Sequence, residues 1–270
     1  MLRDITIGQY IDTGSVLHKL DPRIKLFLTT AYVIVLFIIN NPVSYLIFGG
    51  FTFVLILLSK IPVKFILKGL KPMLFILLFT VVLNLFMIRG TPLVSVPVFN
   101  WFTLTVTYEG LISAVFMSLR ILFLVVGTSL LTLTTTPLML TDGIEMALKP
   151  FDRIKVPSHE IAMMMTIAIR FIPTLAEETD KIMKAQTARG ADFESGNIIR
   201  RAKAMIPLLV PLFVSAFRRA DDLATAMDSR CYHGGKNRTR MKQLKIEPRD
   251  LWALGICTAV FAGVIVIRFI

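Results

Sequence analysis

The sequence predicts an all-α integral membrane protein, with about five transmembrane helices and a set of cytoplasmic helices inserted before the last span. Three observations carry that prediction. The 270 residues are 55% hydrophobic, with a mean hydropathy of +0.71, more than a soluble domain of this length needs. Three stretches, Leu26 to Ser59, Pro72 to Ile88 and Leu251 to Ile267, contain no Asp, Glu, Lys or Arg. A helix needs about 20 mostly apolar residues to cross roughly 30 Å of hydrocarbon. The basic residues gather in certain connections, as they do in loops on the cytoplasmic side. A soluble bundle would need polar helices to cover so much apolar surface, and the first 130 residues offer none.

The N-terminus, MLRDITIGQY, carries charges and no early apolar run, so it does not read as a cleaved signal peptide. Leu26 to Ser59 is too long for one span. Asn40-Asn41-Pro42 marks a turn in its middle, because proline disfavours helix in the residue before it. Span one is therefore expected at about 26–39 and span two at about 43–59. Lys60, Lys64, Lys68 and Lys71 follow at helical spacing, a basic stripe suited to lipid headgroups. Span three is expected at about 72–88.

Residues 90–108 are also uncharged, yet Pro92, Pro97, Asn100 and several threonines argue for an extended loop or hairpin. Charge placement agrees. Arg3, Lys19, Arg23 and Lys25 put the N-terminus inside, and the four lysines do the same for the 60–71 loop. Span four, about 110–133, then returns the chain to the cytoplasm; a further span at 90–108 would put the basic segment that follows outside. Arg120 lies within span four. An intramembrane arginine is a functional candidate, or else it binds a neighbouring helix. The last span is expected at about 251–268, with Trp252 near the interface. The organisation is thus a membrane domain over 1–134, a cytoplasmic domain over 135–249 and a last span in 250–270.

Residues 135–249 carry 19 Lys+Arg against 13 Asp+Glu. Thr136-Pro137 opens a short helix near 137–149, with Asp142 and Glu145 as a second capping pattern. Ser158 opens a longer helix. Its Ile161–Ile169 stretch is apolar on every face and too short to span, so it should be covered by something. Pro173 is expected to kink or break this helix. The helix then runs to Arg189, with Gly190 as a left-handed terminator. A third helix begins near Ile198 and reaches Arg230 before Gly234. Nine of the 13 methionines fall in this segment; methionine suits adaptable partner surfaces and ordinary core filling alike.

Aligned without gaps, the two longer helices share Asp180/Asp221, Ala185/Ala226 and Arg189/Arg230. Each ends in an arginine flanked by small residues, through which a guanidinium can reach carboxylates or carbonyls in a partner's groove. An arginine at a helix C-terminus also complements the macrodipole, worth about 0.3–1 kcal/mol, with no partner. The duplication points to two similar docking ends.

Several chemistries are incomplete. His159-Glu160 begins a zinc-protease motif, but position 163 is Met. Gly234-Gly235-Lys236 resembles the tail of a phosphate loop, but Asn237 replaces Ser/Thr and Arg230 stands at the first glycine. His18, His159 and His233 are too scattered for a metal site. The basic run 234–245 precedes a span, which favours headgroups over nucleic acid. Cys231 lies in a polar segment and Cys257 in a span, so no disulfide is expected.

The paired arginine ends, on a basic segment before the last span, resemble the transmembrane T component of energy-coupling factor (ECF) transporters. That family carries two Xaa-Arg-Xaa motifs, usually Ala-Arg-Gly. Ala188-Arg189-Gly190 matches fully, and Ser229-Arg230-Cys231 departs at both flanks. LHKLDPRIKL, 17–26, also looks like the family's approach to span one. The resemblance implies an L-shaped, all-helical coupling subunit in a prokaryotic plasma membrane, with neither cofactor nor catalytic residue. Two ABC ATPase subunits would each receive one motif helix, at Ala188, Arg189 and Gly190 and at Ser229, Arg230 and Cys231. A small membrane S component that binds a vitamin or other micronutrient would pack on the apolar face. Met163, Met164, Met165 and Ile167 would be among its contacts. A self-contained channel or secondary carrier is the alternative; it asks for ionisable residues along several spans. An intramembrane enzyme would need paired catalytic groups.

Overall fold

The computed structural model describes residues 10–88, 90–99, 102–154, 157–193, 195, 197–234 and 246–269. Arg3 and the basic run from 235 to 245 lie outside these residues. Contacts divide the chain into two compact units, one of Gly8–Gly143 with Leu244–Ile270, the other built on Ile144–Gln243.

In the first unit, four segments are long and apolar enough to cross a membrane: Pro42–Ser59, Val63–Met87, Tyr108–Thr134 and Pro248–Arg268. Helix α1, Pro22–Ile38, has 17 residues, at the short end of the spanning range. It starts four residues before the uncharged run. The Asp21 carboxylate accepts from the Arg23 N–H at 2.9 Å, and Pro22 at the first position has no N–H to satisfy. Lys25 therefore lies inside the helix and is buried. Its ammonium donates to the carbonyls of His18 (3.2 Å) and Thr134 (2.9 Å) and to Thr135 Oγ1 (3.4 Å), which occupies all three N–H directions. Asp250, 1% exposed, accepts from the N–H groups of Asp21 and Glu247, each at 2.9 Å. It thereby ties the start of α9, Pro248–Phe269, to the start of α1.

Asn40, Asn41 and Pro42 turn the chain into α2, Pro42–Ser59. The core lies where α1, α2 and α9 meet, around Leu36, Ile39, Phe48 and Val264, all fully buried. The Tyr32 ring lies tilted against Phe48, centroids 4.5 Å apart, and its hydroxyl donates to the Phe123 carbonyl at 3.1 Å. This ring fits only because Gly127 lacks a side chain; a Cβ there would fall 2.4 Å from Tyr32 Cε1.

Helix α3, Val63–Leu70, passes through a 3₁₀ turn, Lys71–Met73, into α4, Leu74–Met87. Lys64 and Lys68 share a face of α3, one turn apart, as the stripe predicts. Lys60 instead closes α2 in the left-handed conformation, φ 55°. No residue of α4 is buried, although the helix is apolar all round.

The uncharged segment after α4 is a two-stranded antiparallel hairpin, β1 Pro92–Phe99 with β2 Phe102–Thr107, paired from Pro92↔Thr107 to Phe99↔Phe102 with register shifts between Pro92 and Val94 and between Pro97 and Phe99. It is the one strand element among the described residues of an otherwise helical chain. Thr107 then caps α5, Tyr108–Thr134, accepting from the Gly110 N–H at 3.2 Å.

Thr136 accepts from the Met139 N–H at 3.3 Å and opens α6, Pro137–Leu148. Asp142 and Glu145 lie inside α6, so they do not start a helix. A 3₁₀ turn over Lys149–Ile154 takes up Pro150. In the second unit, α7 spans Ser158–Ala188 and α8 spans Ile198–Asp228, 31 residues each. Neither is broken by its prolines, Pro173 in α7 and Pro207 and Pro211 in α8; the flanking turns carry the ladder past the missing N–H groups.

Candidate functional site: two capped helix ends

The two arginines sit in the same backbone device. At the end of α7, the N–H groups of Arg189 and Ala191 both donate to the Gln186 carbonyl at 3.0 Å, and that of Gly190 donates to Thr187 at 2.9 Å. At the end of α8, Arg230 and Tyr232 both donate to the Met227 carbonyl at 3.1 Å, and Cys231 donates to Asp228 at 2.8 Å. Every position is displaced by 41. The pattern is a Schellman cap, in which a left-handed residue lets the chain fold back over the last carbonyls. Gly190 (φ +87°) and Cys231 (φ +54°) are those residues. The sequence repeat, thin as three shared residue types, is thus a structural repeat of the whole cap.

The cap fixes each arginine one residue before the reversal. Ala188, Arg189, Gly190, Ser229, Arg230 and Cys231 are all exposed. Among the described residues, neither the Arg189 nor the Arg230 side chain has an ion pair or hydrogen-bond partner within the chain.

Helices α7 and α8 run antiparallel. Glu178 accepts from Ser215 Oγ and from Arg219 Nη2, both at 2.7 Å; Gln186, further along α7, reaches the Pro207 carbonyl, earlier in α8, at 3.5 Å. The hydrogen bonds from Ser215 and then Arg219 hold the Glu178 carboxyl below the usual carboxylate range. Glu178 and Arg219 are themselves 41 apart, the same displacement that relates the two caps. Each arginine lies eleven residues beyond this pair, so the tips are roughly 33 Å apart along the helix axes at 1.5 Å per residue. They lie toward opposite ends of the helix pair.

The surroundings of the caps differ. Tyr232, just past the α8 cap, places its hydroxyl 3.5 Å from His159 Nε2. His159 Nδ1 lies 3.1 Å from Glu145 Oε1. With Nδ1–H donating to Glu145, Nε2 is left to accept from the tyrosine. The matching position at the α7 cap is Ala191, whose methyl can make no such bond. Sequence reasoning read His159-Glu160 only as a failed zinc motif, and nothing in the spacing of 145, 159 and 232 reveals the chain of contacts.

The other predicted residues are placed as follows. In Ile161–Ile169 only Ala162 is buried; Met163, Met165 and Ile167 are half-buried, and Met164 is 61% exposed. The cover expected for this stretch is not supplied by the chain's own described residues. Arg120 acts between helices: its Nη2 donates to the Ile39 carbonyl and to Asn40 Oδ1, both at 3.0 Å, and its guanidinium lies 5.7 Å from the Phe37 ring centre. It ties α5 to the α1–α2 turn, where the α1 carbonyls end. Cys231 and Cys257 are both free thiols, the first exposed and the second buried.

Comparison with known proteins follows the same lines. Residues 13–241 match the family of cobalt transport proteins CbiQ. An energy-coupling factor transporter transmembrane protein EcfT of Thermosediminibacter oceani is 57% identical over 270 residues, covering both chains in full. One of Clostridium kluyveri is 58% identical over 260 residues, 96% of this chain and 95% of that one. One of Bacillus subtilis is 47% identical over 250 residues, 93% of each.

Proposed function

This chain belongs to the CbiQ cobalt transport protein family, as a multi-pass transmembrane component of an energy-coupling factor transporter, and we propose that it transmits force within that complex. Two ABC ATPase subunits dock on the α7 and α8 ends, with Arg189 and Arg230 as their anchors. A small S component supplies the substrate, a vitamin or other micronutrient. The chain itself hydrolyses nothing: ATP-driven closure of the ATPases moves α7 and α8, and that motion reaches the S component through apolar surface.

The observation that carries this reading is the pair of outward-facing guanidinium tips held by one repeated cap. Two like ends set apart suit two like partners. An arginine with no partner among the described residues of its own chain can make charge-assisted bonds, about twice as strong as neutral ones. The bare α4 helix and the half-covered Met163–Ile167 stretch suit a membrane partner that is held and released. The basic 60–71 loop supports an orientation with 135–249 in the cytoplasm, beneath the plasma membrane. In that orientation α1 is the fifth span. The alternative, a channel or carrier complete in itself, would use Arg120 along a pathway; the bonds from Arg120 to Ile39 and Asn40 instead favour a structural tie.

The test is copurification. Tagged wild-type chain brings down both ATPases, and the chain carrying both Arg189→Glu and Arg230→Glu reaches the membrane but brings down neither. Undiminished recovery of the ATPases would overturn the reading. Substrate uptake by the purified chain alone in liposomes would restore the carrier.

A further inference from the structure

The first unit contains an apolar groove of about 450 Å³ framed by α1, α2, α5 and α9. Its walls include Leu28, Tyr32, Val54, Leu131, Ala253 and Ile256. At one end stand Arg249 and Trp252, the latter 73% exposed. From Arg249 to Phe261, at the other end, α9 runs about twelve residues, roughly 18 Å. A single unbranched hydrocarbon chain is long enough to lie along it.

The end with Arg249 carries an unmet donor. The Arg249 Nε–H is buried with no hydrogen-bond partner, while its Nη2 pairs with Glu247. Buried N–H groups without an acceptor are rare and costly. Lys25, also on the groove wall, has given its three N–H groups to His18, Thr134 and Thr135. Arg249 is therefore the cation with a bond to offer here. Trp252 beside it is the residue type that settles at the headgroup level.

We propose that this groove binds one phospholipid, its acyl chain laid along α9 and its phosphate accepting from Arg249. The lipid would complete the packing of α1, α2, α5 and α9 on the side where the protein leaves them apart.

The experiment uses the chain in its purified transporter complex in detergent, with Trp101→Phe so that Trp252 is this chain's one tryptophan and with the partner subunits' tryptophans replaced. A phosphatidylcholine brominated on one acyl chain is titrated in, and quenching of Trp252 is followed. The expected result is quenching that saturates at one lipid per chain. Arg249→Gln weakens the apparent affinity at least threefold, and Ala253→Phe, which fills the groove, removes the saturable phase. Circular dichroism and elution volume establish that both variants fold. Quenching that only tracks bulk lipid content overturns the proposal, as does saturable quenching indifferent to both variants. Saturable quenching seen with the isolated chain but lost in the complex also overturns it, because the groove would then seat a partner protein.

Discussion

At Gly190 the residue that closes the helix has no side chain to crowd the turn; at Cys231 the same left-handed turn is imposed on a residue with a Cβ. The α7 and α8 ends are otherwise bonded alike, carbonyl for carbonyl. They differ again one residue later, where Ala191 ends in a methyl and Tyr232 reaches back to His159 and Glu145. The first end is held by backbone geometry alone. The second adopts a costlier turn and is steadied by a side-chain relay. One presented group, a guanidinium, has been placed by two routes.

Replacing the arginines tests what the ends share. Arg189→Ala or Arg230→Ala should each weaken ATPase recovery at one site by roughly tenfold to a hundredfold, since a hydrogen bond to a charged group contributes about 1.5–3 kcal/mol. Quantitative pull-down with each ATPase separately would check it, and equal loss of both ATPases from one substitution would break the correspondence of one tip to one partner. Cutting the relay tests what they do not share. Tyr232→Phe and His159→Ala should lower affinity only at the Arg230 end, about two- to tenfold, on the scale of about 0.5–1.5 kcal/mol for one hydrogen bond. The same assay should show the Arg189 end unmoved.

Exchanging the turn residues is a smaller perturbation. Cys231→Gly should stabilise the detergent-solubilised protein by about 1 kcal/mol, and Gly190→Ala should destabilise it by a similar amount, because a side chain in the left-handed region costs about 1–2 kcal/mol. Thermal unfolding would read both. Acid should be the mildest, and common to both ends. The folded Glu178 carboxyl is held below its ordinary value of 4.5, so its contact contributes above that pH and is lost as pH falls through the lower, folded value. Glu178→Gln should remove that loosening without favouring either tip, as amide exchange along α7 and α8 would report.

Much of this was legible in the residues. Runs without charge mark α2, α4 and α9, because lipid tolerates few unpaired ions. Proline and threonine between 90 and 108 reveal the hairpin. Glycine after Arg189 announces the first cap. The second cap is hidden, since cysteine is no signal for a left-handed turn and only the hydrogen bonds reveal it. The start of α1 is hidden for a related reason. Arg23 and Lys25 look like the end of a loop, yet the Lys25 ammonium finds acceptors 109 and 110 residues away, at Thr134 and Thr135. Long-range partners of this kind leave no periodicity behind. Pro173 misleads in the opposite direction, since α7 absorbs it.

The Glu178–Arg219 pair, midway in sequence count between the two arginines along the helices, has a mechanical corollary. With equal arms of eleven residues on either side, it is placed as a fulcrum. Opposed pushes at the two arginines, directed across the helix axes, would form a couple and turn the α7–α8 pair about that point without sliding it. Pushes in the same direction would translate the pair and turn it very little. The pair thus turns under one kind of load and slides under the other.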